Sequence, residues 1–94
     1  MGGKLLAEDA GMSSEYVEYR VKLFRDKATG LVVAEVPALG IADDGTDTSE
    51  ALENLRHMVG FHLECLMEEG ETVPRERSKG EGIYFRVKLP ASAA

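Results

Sequence analysis

The chain has 94 residues, 44% hydrophobic and 30% charged, with 17 Asp and Glu against 11 Lys and Arg for a net charge of −6. That length holds one domain with a modest core, and the acidic balance speaks against a general phosphate-backbone binder, which needs cations to release counterions. A lone cysteine, Cys65, excludes an intramolecular disulfide and a cysteine-based zinc framework. No stretch reaches membrane-spanning length, so a cytoplasmic setting is the default expectation.

Residues 1–14 combine several glycines and serines with one short apolar cluster at Leu5 and Leu6, and are expected to form a flexible leader. The α+β domain is expected to span 15–90. YVEYRVKLFR, 16–25, alternates: Val17, Tyr19, Val21 and Leu23 fall on one face, Glu18, Arg20 and Lys22 on the other, the pattern of a half-buried strand. DKATG has turn chemistry, and LVVAEV, rich in β-branched residues, follows as the second arm of a hairpin. Pro37 lacks an amide proton and ends that strand. Ile41 and Ala42 form a short third strand before a turn at Asp43, Asp44 and Gly45.

Asp47 stands three residues before Glu50, the spacing of a capping box. The helix predicted from it runs from Thr48 to about Glu69 and stops at Gly70. At 100° per residue Leu52, Leu55, Val59, Leu63 and Leu66 share one side, with Glu53, Glu64 and Glu68 opposite, as in a helix laid on a sheet. Gly60 sits inside it, where glycine costs about 1 kcal/mol against alanine unless another backbone approaches closely. A polar connection, 71–82, leads to IYFRVKL, which alternates again; Pro90 and a small-residue tail, 91–94, expected to be disordered, follow. The fold class is therefore α+β: an antiparallel sheet in the order β-β-β-α-β with one long helix on one face.

The order and spacing of these pieces resemble the HicB-like antitoxin family. The matching residues are Glu35-Val36-Pro37, Leu39-Gly40, Gly45, Glu50-Ala51-Leu52-Glu53-Asn54, and Glu68-Glu69-Gly70-Glu71 with Pro74. The family's Pro-x-Leu-Pro-Gly turn is shortened here, and its Gly-Asp-Thr appears as Gly45-Thr46-Asp47. The resemblance implies a partial ribonuclease H-like fold, often oligomeric, that binds a small basic RNA-cleaving toxin of the HicA type and masks its active site; some stand-alone relatives carry no toxin. The C-terminal DNA-binding segment of many members has no counterpart after the last strand, so no direct nucleic-acid contact is expected. Pro37, Gly40, Gly45, Asp47, Glu50 and Gly70 carry the structural motif.

Ribonuclease H-like enzymes hold two metal ions with several carboxylates, for which Asp26, Glu35, Asp43, Asp44 and Glu50 are the candidates. Turn and cap roles account for most of them, and fold does not imply function. His57 and His62 diverge on the helix, and His62 with Cys65 supplies two ligands where zinc wants three or four. His62 reads as a hydrogen-bonded residue at the core's edge, and Cys65 as a packed thiol. No catalytic residue, metal or cofactor is expected. Met58, Phe61 and Cys65 make a second apolar stripe outside the main arc. Either the leader or the 71–82 connection covers it, or it is a contact surface between subunits or with a partner. RERSK, 75–79, reads as solvated loop charge. A homo-oligomer is expected.

Overall fold

The computed structural model describes residues 16–89; the leader and the 91–94 tail lie outside them. β1 (Tyr16–Arg25), β2 (Val32–Val36), β3 (Ile41–Gly45), α1 (Thr48–Glu68) and β4 (Ile83–Lys88) follow one another in the chain. The four strands form one antiparallel sheet in the order β3-β2-β1-β4. The expected α+β architecture is the observed one.

The alternation in β1 sets the core. Val17, Tyr19 and Val21 are buried, as are Val32, Ala34 and Val36 of β2 and Phe85, Val87 and Leu89 in and after β4. The register places Val17 opposite Val87 and Tyr19 opposite Phe85. Ala51, Leu55, Val59 and Leu63 of α1 close over this face, and burying each such leucine or valine contributes roughly 1.5–3 kcal/mol. One flank of the helix reaches β4, where the Arg56 guanidinium lies 4.6 Å from the centre of the Phe85 ring. The other flank meets β3, where the Asn54 amide donates to the Asp44 carbonyl at 2.9 Å.

The uncovered face carries charge. Glu18 stands opposite Arg86 and Lys22 opposite Glu35, cross-strand pairings of opposite sign, and the Arg86 guanidinium sits 4.6 Å over the Tyr16 ring. Those pairs solvate the middle of the face, and at one end of it Phe24, 50% exposed, stands opposite Val33.

The helix ends follow local chemistry. Asp47 Oδ1 accepts from the Glu50 amide at 2.8 Å, while Glu50 Oε1 reaches back to the Thr46 amide at 2.6 Å, one residue earlier than a standard capping box. At the far end the Glu71 amide donates to the Leu66 carbonyl and the Gly70 amide to that of Met67. With Gly70 at φ 72°, this is a Schellman stop.

One expectation needs correction and one open question is answered. Asp43, Asp44 and Gly45 are not a turn: β3 extends through all three, and Gly45 pairs with Val32. Pairing along the whole of β2 outweighs the turn preference of the two aspartates, which an edge strand tolerates. Gly60 is not explained by close backbone approach, since a Cβ there would meet nothing within 4 Å. Gly60→Ala is therefore expected to stabilise the domain by about 0.5–1 kcal/mol, read as a higher urea midpoint at unchanged slope.

Candidate protein-binding site

The stripe predicted on α1 is present and uncovered by the described residues. Phe61 is 67% exposed and Met58 38%, with Cys65, half-buried, a turn further on. Asn54 lies on the same flank, so its bond to Asp44 places the stripe beside β3. Cover from Leu5 and Leu6 lies outside the described residues. The 71–82 connection does not bury Phe61; it packs elsewhere, with Val73 against the core.

The charge around the stripe is one-sided. β3 contributes Asp43, whose side chain shares the helix-facing side of the strand with Ile41 and Gly45, and the helix contributes Glu64 and Glu68 next to Phe61; Asp44 turns its side chain to the open face. Between Thr48 and Glu68 the only Lys or Arg is Arg56, on the opposite flank. An apolar strip with carboxylates on both sides can seat an apolar anchor and attract a cationic rim.

The connection from 71 to 79 runs as a strap along the N-terminal half of β1. The fully buried Tyr19 donates its hydroxyl to the Pro74 carbonyl at 2.6 Å, and the Arg20 amide donates to Glu76 Oε1 at 2.8 Å. Burial pushes the Tyr19 hydroxyl above its ordinary pKa, Arg75 opposing and Glu76 reinforcing the shift. The Arg20 amide holds the Glu76 carboxyl below its ordinary value, helped by Ser78. A shallow cleft of about 610 Å³ lies beside the strap, lined by Pro37, Ala38, Thr72, Val73, Arg75 and Arg77 among others.

A carboxylate whose pKa falls on folding adds stability above its unfolded pKa and loses it as pH drops through the folded value. Wild type is accordingly expected to exceed Glu76→Gln in stability at neutral pH. That margin should close below the ordinary value of 4.5. Denaturant midpoints of both proteins measured across the acid range check it; a margin constant with pH would contradict the role given to Glu76.

The carboxylates weighed as candidate metal ligands are engaged locally. Asp26 Oδ1 accepts from the Ala28 amide, and Asp43 Oδ1 from the Asp44 amide. Glu50 is held below its ordinary pKa by the Thr46 amide and then its hydroxyl, and Glu35 stands opposite Lys22 on the open face. Among the described residues no three His, Cys, Asp or Glu side chains are grouped so as to hold a metal ion. His57 faces Glu53 at 3.7 Å on the helix surface. His62 is half-buried, and no hydrogen bond to its ring forms among the described residues, contrary to expectation. Asn54 and Glu76, which fix the stripe's setting and the strap, have no local sequence signal; only the topology brings each to its partner. Comparison with protein-family models, with curated proteins and with solved structures gives no match. No helix among the described residues is long and apolar enough to cross a membrane.

Proposed function

We propose that this domain is a non-catalytic protein-binding module of the HicB-like antitoxin type, which neutralises a small basic RNA-cleaving toxin of the HicA type by binding it. The observation that carries this reading is the exposed Met58–Phe61–Cys65 stripe set between carboxylates on β3 and α1. Large exposed aromatics rimmed by charge mark protein contact surfaces. The acidic surround would speed encounter with a basic partner and reject acidic ones. The order of turns and caps, from Glu35-Val36-Pro37 to Glu69-Gly70-Glu71, supports the same family reading.

Co-expression with a small basic protein encoded in a neighbouring reading frame tests the proposal. The two chains are expected to co-purify, and the toxin's RNA cleavage to stop in the complex. Separate elution with cleavage undiminished would contradict it.

A further inference from the structure

An open sheet must dispose of every edge, because unpaired backbone groups template further pairing. Here the edges differ. On β3, Ala42 and Asp44 turn outward, and at Asp44 the amide is taken by Asp43 Oδ1 at 2.8 Å and the carbonyl by the Asn54 side chain at 2.9 Å, so only Ala42 keeps its outward groups open among the described residues. Beside the N-terminal half of β1, the strap lies against the edge and Glu76 occupies the Arg20 amide. Past the start of β4, β1 exposes only a short stretch around Leu23 and Arg25, and the Arg25 guanidinium folds back onto the Gly30 carbonyl. β4 has no such cover among the described residues.

The register fixes what β4 offers. The Arg20 amide points away from β4, and Arg20 is opposite Tyr84. In an antiparallel ladder such a pair turns its backbone groups outward on both strands. Tyr84 and Arg86 therefore present their amides and carbonyls to the outer edge, while Phe85 and Val87 bond inward to β1. Ile83, at the start of this edge, is 45% exposed.

This edge is complementary to itself. A two-fold axis at Phe85 sets Tyr84 opposite the partner's Arg86, Arg86 opposite the partner's Tyr84, and Ile83 opposite the partner's Val87. Tyr84 and Arg86 of both copies then exchange amide–carbonyl bonds, each arginine faces an aromatic ring, the exposed Ile83 gains an apolar neighbour, and Lys88, also outward, falls at the end of the seam. A shift that centres Arg86 sets like charges against each other. A shift that centres Tyr84 leaves Arg86 opposite the partner's Gly82, outside the strand.

We propose that two copies of this chain join through β4, antiparallel and centred on Phe85, into one eight-stranded sheet. The partner-binding stripes beside β3 lie on the edges remote from the seam, so the dimer presents both. The inference rests on the edge geometry and not on the toxin reading.

Sedimentation velocity of the full chain tests it. Wild type is expected at twice the chain mass of 10.2 kDa. Ile83→Lys, which alters a side chain already exposed in the single chain, and Arg86→Pro, which removes an outward amide in the register above together with the exposed guanidinium over Tyr16, are each expected to give the single-chain mass with unchanged far-ultraviolet circular dichroism. Phe61→Arg is expected to remain dimeric. Hydrogen exchange adds a second readout, with the Tyr84 and Arg86 amides slowed in wild type and fast in both seam variants. A wild type at single-chain mass at its highest soluble concentration would overturn the proposal, as would a dimer that survives both seam variants or dissociates in Phe61→Arg.

Discussion

Gly45→Ala is expected to lower the melting temperature by roughly 10–20 °C, the largest loss of any single added methyl group in the domain. Gly45 ends β3, is buried, and leads directly into the helix cap. A Cβ built there would lie 2.6 Å from the Ala51 amide nitrogen and 2.9 Å from the Glu50 carbonyl carbon. Both are backbone atoms of the first helical turn, so relief requires the helix to move away from the sheet. That movement would disturb the Asp47 and Glu50 cap bonds and the packing of Ala51. Overpacking of this kind costs about 2–3 kcal/mol, a large share of a small domain's stability. Gly40→Ala is the control: φ there is 70° and a Cβ would meet nothing within 4 Å, so only backbone strain of about 1 kcal/mol is added. Calorimetry of the two variants should place Gly45→Ala well below Gly40→Ala. Equal losses would contradict the close approach as the reason for glycine at 45.

Phe61→Arg is expected to weaken binding of the basic partner by at least about 30-fold, or roughly 2 kcal/mol, while leaving the urea midpoint within about 0.5 kcal/mol of wild type. The asymmetry follows from exposure. At 67% exposed, the ring contributes little to the folded chain, yet it is the largest apolar group on the stripe. Arginine there removes the apolar anchor and brings positive charge to a surface proposed to receive positive charge. Titration calorimetry against the partner and a denaturant curve of the free variant measure the two quantities. A variant that binds as well as wild type would remove Phe61 from the interface, and one that unfolds would show the ring to be part of the core.

The sheet and helix were legible because their signals are local and repeat. Alternation at Val17, Tyr19 and Val21 and at Phe85 and Val87 needs no knowledge of the partner strand, and the Asp47 cap and Gly70 stop lie within a few residues of what they control. The stripe was legible for the same reason, since Met58, Phe61 and Cys65 recur at helical spacing. β3 was cut short because Asp43-Asp44-Gly45 has turn composition, and the competing term, a full ladder with β2, acts across the fold. The strap was not legible at all. Tyr19 and Pro74, or Arg20 and Glu76, are more than fifty residues apart, and no periodicity announces a hydroxyl or an amide that needs a distant acceptor. The closed edge at Asp44 escaped notice likewise, because Asn54 reads as one more polar residue on a helix.

The central claim is that a partner docks on the strip between β3 and α1. Chemical-shift mapping of the complex with the neighbouring small basic protein tests it most directly. Perturbations are expected to centre on Asn54, Met58, Phe61 and Cys65 and to extend to Asp43 and Asp44. Perturbations centred instead on the strap, from Thr72 to Lys79, with the α1 stripe unchanged, would contradict it.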